Sequence, residues 1–353
     1  MYLVLALLIA LGLFFPKSKL VIVIDVVALG LIVGLRTNSI DYYNYLLEYN
    51  TAQIVPPSLA DFPGYNIIMR WSQYIGLDFT QFVLVMAFIS FTLMITGMMI
   101  FSQYVPFAMA FFIVYPFGHE AIQMRTFLAD ALVICALPLL LIDHKTRMKN
   151  ILSKSIFFIL VFFASRIHTL CWFYLAIAAI YLFLRRKKWY VPLIIIITII
   201  TMLLIRLNIL TRLMLVISSS DKLDHWVQGS SGLGMIFYTF LTMVLYLLIR
   251  YSILNIVKNE TNKVSKQVKI NILSYSTCLL LIIPLLTYDI TFNRLWRIFL
   301  ILLYLMAGEY LYRTHFNRNK LIYIFALLAM VISMFIIENE LTILNSLINR
   351  VIL

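Results

Sequence analysis

Residues 79–101 read FTQFVLVMAFISFTLMITGMMIF, a run of 23 residues without one charged side chain. A helix of about 20 apolar residues crosses the hydrocarbon core of a bilayer, which is about 30 Å thick. Similar runs occupy most of the chain, at about 1–16, 20–35, 104–118, 125–142, 155–167, 168–184, 190–206, 231–250, 270–288, 296–312 and 321–337. The pattern predicts an all-α, polytopic membrane bundle of about 12 segments, within a range of about 10 to 13.

The composition excludes a soluble protein. Hydrophobic residues make up 63% of the 353 and charged residues only 12%, which is more apolar side chain than a soluble domain of this size buries. The formal net charge of +13 does not indicate nucleic-acid binding, because the lysines and arginines punctuate apolar runs and read as topology signals. We therefore expect a lipid bilayer as surroundings and no nucleic acid as partner.

Basic residues favour one side of the membrane. If the loop at 16–19 is cytoplasmic, alternate loops at 102–103, 143–154, 185–189, 250–269 and 313–320 are cytoplasmic too, and they collect 18 of the 28 lysines and arginines. Such loops resist translocation, so both termini are predicted to be extracytoplasmic. The chain is then one membrane domain, 1–353, with a larger extracytoplasmic loop at 36–78 and a second at 207–230, in a GT-C-like arrangement.

Ten basic residues remain on the predicted outer side, and nine of them are arginine. They are Arg36, Arg70, Arg125, Arg166, Arg206, Arg212, Lys222, Arg294, Arg297 and Arg350. Arginine grips phosphate oxygens through a planar, two-pronged fork, whereas lysine acts as a point charge. A phosphate-bearing anionic ligand at the outer face is the resulting hypothesis.

Two arginine motifs each leave two interpretations open. Arg125, in AIQMRTFLADAL, is either a ligand-binding residue or an arginine that extends to the membrane surface. Arg294 and Arg297, in NRLWRIF, are three residues apart and are predicted to share a helix face. That pair is either a ligand clamp or part of an ordinary interfacial belt.

Each candidate acid–base group can also be interpreted as structural. His168, in ASRIHTLCWF, lies at the hinge between two apolar segments and is either a proton-transfer group or a structural helix-end residue. Asp41, Tyr42, Tyr45 and Glu48 combine carboxylates with aromatic rings, a mixture suited to sugars and also found in interfacial aromatic belts.

Several reaction types have no motif here. The chain has no GxSxG, HExxH, Walker loop or DxD pair. Glu338 and Glu340 are predicted to form a solvated helix end, and His119 with Glu120 lacks a third metal ligand. We expect chemistry without a bound metal and without another cofactor.

Five short segments, in order, resemble the EpsG/Wzy-type bacterial polysaccharide polymerases. They are GLRTNSIDYYNY (34–45), DFPGYNII (61–68), MRTFLADAL (124–132), RIHTLCW (166–172) and FNRLWRIF (292–299). The chain departs from the family pattern at Asp61 and Phe62, where glutamate is usual, and at Thr169 and Leu170 after the histidine.

The resemblance implies transfer of a growing glycan from one undecaprenyl-diphosphate carrier to the sugar of another lipid-linked repeat, outside the bacterial plasma membrane. It implies diphosphate binding by Arg125, Arg294 and Arg297, with Arg166 and Arg36 as further candidates. His168 or Asp41 would be the catalytic base, and Tyr42, Tyr45 and Tyr65 would bind substrate. A chain-length regulator and a flippase of the same pathway are the expected protein partners.

Three alternatives remain open at this point. A flippase or exporter of lipid-linked oligosaccharide would use the same arginines to line a path. An O-antigen ligase or a polyprenyl-phosphate-dependent glycosyltransferase would use them much as a polymerase does. A membrane scaffold would explain the topology but not five ordered motifs.

Overall fold

A computed structural model describes residues 1–36, 41–185, 189–207, 232–286 and 290–348. Within these ranges every regular element is a helix and no strand occurs. The predicted all-α class is therefore confirmed. The predicted outer loop at 207–230 lies outside the described residues apart from Leu207.

The helices are named here in chain order. They are α1 (Tyr2–Phe14), α2 (Lys19–Gly34), α3 (Tyr42–Thr51), α4 (Pro63–Tyr74), α5 (Phe79–Phe101), α6 (Val105–Val114), α7 (Phe117–Ile122), α8 (Met124–Leu141), α9 (Arg147–Ile167), α10 (Cys171–Leu184), α11 (Tyr190–Arg206), α12 (Gly232–Asn259), α13 (Lys263–Thr277), α14 (Ile283–Leu286), α15 (Trp296–Arg313), α16 (Arg318–Ile337) and α17 (Glu340–Ile348). Short 3-10 helices cover Pro57–Leu59, Cys278–Ile282 and Ile290–Leu295.

Seven helical stretches among the described residues are long and apolar enough to cross a membrane. They are Phe79–Phe101, Met124–Leu141, Arg147–Ile167, Ile236–Asn259, Lys263–Leu286, Thr291–Arg313 and Arg318–Ile337. Four shorter apolar helices accompany them: Tyr2–Phe14, Val105–Val114, Cys171–Leu184 and Tyr190–Ile205. These stretches confirm a membrane protein, while the count of about 12 crossings and the GT-C-like arrangement stay predictions.

The described chain divides into two compact units. Unit 1 comprises Met1–Ala176 with Tyr304–Leu353, and unit 2 comprises Ile177–Leu303. In unit 1, α5 packs against both α2 and α8, and α8 packs in turn against α9. Gly97 of α5 lies so close to α8 that a Cβ would come within 2.8 Å of the Cys135 Cα atom. Small residues allow this close approach of membrane helices.

Two predicted cytoplasmic loops are shorter than expected. The helix α9 begins at Arg147, and Lys154 inside it is buried, donating to the carbonyl oxygens of Leu139 at 3.2 Å and Ile142 at 2.9 Å. The helix α12 continues to Asn259 and α13 begins at Lys263. The basic residues at 143–154 and 250–269 predict loops, but in the structure many of them lie in helices. Long basic side chains can extend from a helix to place their charge in a polar environment.

The predicted outer loop at 36–78 folds into α3, the 3-10 turn and α4. Proline at the first position of α4 favours the helix start, since the missing N–H needs no partner there. Asp78 closes the segment by capping α5 reciprocally with Gln81. This segment supplies most of the candidate site.

Candidate active site

The candidate site belongs to unit 1 and is built from four chain segments. They are α3, the start of α4, the first turn of α8 and the end of α9. Asp41 directly precedes α3, and Tyr45 and Glu48 lie within that helix. Their spacing places all three residues on one face of the helix. Those three residues therefore face the same neighbours.

Arg125 is held by a carboxylate and an aromatic ring. Its Nη1 atom donates to both Glu48 oxygens, at 3.0 and 2.8 Å, and its guanidinium carbon lies 3.5 Å from the centre of the Phe62 ring. The Tyr45 ring is 5.3 Å away. The Nε atom is buried and has no hydrogen-bond partner. The guanidinium is thus oriented by two contacts while one donor nitrogen remains unused.

Phe62 lies between Arg125 and His168. The Phe62 and His168 rings stack at 5.6 Å between centroids, with 19° between their planes. His168 directly follows α9, is buried, and accepts a hydrogen bond at Nδ1 from the Leu170 N–H at 3.3 Å. An imidazole that accepts at Nδ1 carries its proton on Nε2 when neutral, so the ring is set to donate there.

Gly64 brings α4 against α9. A Cβ at Gly64 would lie 2.8 Å from the backbone carbonyl carbon of Arg166, too close for any side chain. Glycine is therefore required where the two helices meet, and this contact places Phe62 over His168. The Arg166 side chain itself is exposed.

Arg36 is a buried cation beside the same cluster. Only 3% of the residue is exposed, and its Nε and Nη1 atoms have no hydrogen-bond partner. Burial lowers the pKa of Arg36 to about 10, although the neighbouring Tyr45, Tyr65 and Asp41 act in the opposite direction. The group stays charged at neutral pH, so it offers donors to an anion.

The three predicted substrate tyrosines differ in placement. Tyr45 and Tyr65 are buried, with ring centroids 6.2 Å apart, and Tyr42 packs edge-on against Phe79 at 5.2 Å. Burial raises the pKa of the Tyr65 hydroxyl and of the Tyr45 hydroxyl, so neither ionises at neutral pH. Both rings serve as apolar walls around Arg125.

Two open clefts meet at Glu48. The first, the Asp41 cleft, has a volume of about 310 Å³ and is lined by Asp41, Asn44, Tyr45, Leu47, Glu48 and Arg125. The second, the Asn66 cleft, has a volume of about 320 Å³ and is lined by Glu48, Thr51, Asp61, Phe62, Tyr65 and Asn66 among others. The structure thus brings Asp41 and Arg125 to one cleft.

Arg294 and Arg297 belong to unit 2 and do not share one continuous α-helix. Arg294 is the fifth of the six residues of a 3-10 helix, Ile290–Leu295, whereas Arg297 is the second residue of α15. Their common face stays a prediction, since residues three apart are neighbours on one face in a 3-10 helix as well as in an α-helix. Arg297 is buried. Their role as a diphosphate clamp stays a prediction.

A second polar cluster of unit 1 corrects one prediction. Glu340 is not a solvated helix end: its residue is 0% exposed, it accepts a hydrogen bond from the Gly118 N–H, and its carboxylate lies 3.3 Å from His119. The His119 ring also contacts the Glu338 backbone oxygen at 3.1 Å. These contacts fasten α17 to α7. Among the described residues, no three His, Cys, Asp or Glu side chains form a group that could hold a metal ion.

The five motifs therefore occur on an all-helical membrane protein, four of them around one pair of clefts. A family model, the EpsG family, matches residues 19–345. The chain belongs to the EpsG family. No curated protein and no solved structure matches the chain. EpsG membership supports a general role in polysaccharide polymerisation.

Sequence reasoning missed three residues of this EpsG site. Glu48 stands out in the sequence only as part of a sugar-binding mixture, and its helical spacing from Asp41 is the signal that both face one cleft. Phe62 is only a departure from the family pattern, and Asn66 carries no signal in the sequence. Their positions depend on how the 36–78 segment packs on α8 and α9, which local sequence does not specify.

Proposed function

We propose that this EpsG protein polymerises undecaprenyl-diphosphate-linked oligosaccharide repeats at the outer face of the bacterial plasma membrane, without a metal. The observation that carries the proposal is the Arg125 guanidinium, oriented by Glu48 and Phe62 in the wall of a cleft that also holds Asp41. A clamp for a leaving diphosphate needs an oriented cation, and a nearby carboxylate can take a proton.

In the proposed reaction, a hydroxyl oxygen of the acceptor sugar bonds to the anomeric carbon of the donor glycan. The bond between that carbon and the diphosphate oxygen breaks, and its electron pair leaves with undecaprenyl diphosphate. The hydroxyl proton passes to a carboxylate. Arg125 and Arg36 stabilise the departing anion, and Arg294 and Arg297 are the further predicted contributors.

Asp41 is the better supported base of the two candidates. It lines the same cleft as Arg125, whereas His168 is buried beneath Phe62 and accepts at Nδ1 from its own chain. His168 then acts by supporting Phe62 and, through it, Arg125. Replacing Asp41 by Asn should abolish polymer formation, while His168→Gln should reduce it less.

Deletion of the gene in the producing cell tests the proposal against the transport alternative. Loss of a polymerase leaves single lipid-linked repeats on the outer face, whereas loss of a flippase leaves them on the inner face. The purified protein in lipid nanodiscs should also convert a defined lipid-linked repeat into a ladder of longer products. The absence of a ladder with correctly folded protein would refute the polymerase proposal.

A further inference from the structure

The wall of the Asn66 cleft includes a buried hydrogen-bond acceptor that has no donor. Asn66 is 5% exposed, it forms part of the cleft wall, and its Oδ1 atom has no hydrogen-bond partner. Buried amide oxygens are nearly always paired, because an unpaired one keeps the full penalty of leaving water. A ligand that brings a donor into this cleft would remove that penalty.

The charges of the cleft select the class of ligand. Glu48 and Asp61 contribute two carboxylates to the wall, and Arg125, the adjacent cation, already binds Glu48. Carboxylates accept hydrogen bonds and repel anions. The ligand is therefore rich in hydroxyl or amine donors and carries no phosphate at this position.

The remaining wall fits a sugar ring. Phe62 and Tyr65 contribute aromatic side chains, and Thr51 adds a hydroxyl whose proton is donated to the Leu47 carbonyl oxygen at 2.8 Å, so its lone pairs can accept. Apolar rings beside a few fixed polar groups are the usual composition of a small-molecule site. The volume, about 320 Å³, falls in the range of roughly 300–1,000 Å³ that such sites occupy.

We infer that the Asn66 cleft binds the sugar end of the acceptor repeat unit. This inference rests on the proposed polymerase function and names its acceptor subsite. The donor's reacting sugar carries the diphosphate, which the two carboxylates repel, whereas the acceptor's reacting sugar is remote from its own diphosphate. Because Glu48 lines both clefts, an acceptor sugar bound here lies next to the cleft of Asp41 and Arg125.

The test measures binding of a defined probe to the full-length protein in nanodiscs. The probe is the lipid-free repeat oligosaccharide, released by mild acid from the carrier of a polymerase-deficient producer strain, and its affinity is measured by ligand-observed NMR. Asn66→Leu should weaken binding about tenfold or more, since the acceptor oxygen is lost. Its thermal midpoint should be unchanged or higher, since the unpaired oxygen is lost as well.

The matched control is Asn50→Leu, on the exposed side of α3, which should leave the affinity unchanged. Asn66→Ala provides the same test without added bulk, should leucine prevent folding. Equal binding by the Asn66 variants and the wild type would overturn the inference. So would a fall in thermal midpoint that parallels the loss of binding, since that marks a structural asparagine.

Failure of the site and failure of the function give different results. If oligosaccharide binding depends on Asn66 but no product ladder forms, the polymerase proposal is refuted and the glycan-binding site is retained. If the Asn66 variants make a normal ladder, the polymerase proposal is retained and the assignment of the acceptor sugar to this cleft is refuted. Inorganic pyrophosphate should not displace the oligosaccharide, and displacement would contradict the charge argument.

Discussion

The Arg125 cluster and the Glu340 cluster use similar groups in opposite surroundings. Each joins a carboxylate to a basic side chain or backbone donor, and each lies beside an imidazole. In the first, the side chains of Arg125 and Glu48 are 15% and 40% exposed and border open clefts. In the second, Glu340 is 0% exposed and is enclosed between α7 and α17.

Solvent access determines which cluster can exchange partners. Breaking an ion pair that water reaches costs about 0.2–1 kcal/mol, so a ligand can displace one member. A buried carboxylate that loses its donors costs about 3–5 kcal/mol, so its partners stay fixed. The Arg125 cluster is suited to binding, and the Glu340 cluster to holding the carboxyl-terminal helix in place.

Among changes to the basic and acidic groups of these two clusters, Arg125→Ala should have the largest effect. Loss of an oriented donor to a leaving anion typically lowers turnover by about 10²–10³-fold. Arg125→Lys should recover little, since an ammonium cannot keep both the paired carboxylate and the ring contact. Polymer per unit of membrane protein is the measurement, on blots of cell extracts. Arg70→Ala is the control. The Arg70 side chain donates to the Gln53 backbone oxygen at 3.5 Å and lines neither cleft, so full polymer is expected.

Glu340→Ala should act on stability and not on turnover. It removes the acceptor of the buried Gly118 N–H and the carboxylate beside His119, at a cost of about 3 kcal/mol. We expect a lower thermal midpoint in detergent and less protein in the membrane, with unchanged activity per molecule. A loss of activity per molecule at normal protein level would remove the contrast between the two clusters.

The same contrast separates what sequence predicts from what it does not. The span at 79–101 and the site residue Arg125 stand out because an uncharged run and an arginine at the start of another apolar run are local signals. Glu340 lies in IIENELTI, where nothing local distinguishes a solvated acid from a buried one. Its burial is decided by α17 docking on α7, across more than 200 residues of chain.

Phe62 illustrates the other limit. The resemblance leads us to expect glutamate in this turn, where the chain has Asp61 and Phe62. In the fold, the ring lies on Arg125, and Glu48 from another helix supplies the carboxylate. These contacts link three segments and are visible only once the segments are packed together.

Gly64→Ala should displace part of the Arg125 cluster without removing any of its groups. The added Cβ meets the Arg166 backbone at 2.8 Å, so α4 must shift and carry Phe62 from His168. Overpacking of this kind costs about 1–3 kcal/mol, and we expect roughly tenfold less polymer. Gly76→Ala is the control: its φ of +83° makes alanine strained, but no atom lies within 4 Å, so stability should fall while activity is kept.

Arg36→Met should raise stability while lowering polymer formation. A buried cation with unpaired nitrogens is unfavourable for folding, and an apolar side chain of similar length should add about 1–2 kcal/mol. The folded pKa of about 10 lies below the unfolded value, so the penalty is complete below pH 10 and fades as the pH rises from there. Thermal melts should therefore favour the variant at pH 7 and show a smaller difference above pH 10. A less stable variant at pH 7 would show that Arg36 is structural.

Glu48→Gln should have a small effect, and it tests directly whether the Arg125 pair can exchange partners. If the Arg125 pair exchanges partners, removing the Glu48 charge frees the guanidinium for diphosphate, and KM for the lipid-linked repeat should fall about threefold, the equivalent of roughly 0.7 kcal/mol for a solvated pair. Stability should change by less than about 1 kcal/mol. The control is Glu309→Gln, which breaks the ion pair with Arg313 at 2.6 Å in the same unit and should leave KM unchanged. A KM that rises for Glu48→Gln alone would mean that the carboxylate holds Arg125 in its working position, so that both clusters are fixed and the distinction between them disappears.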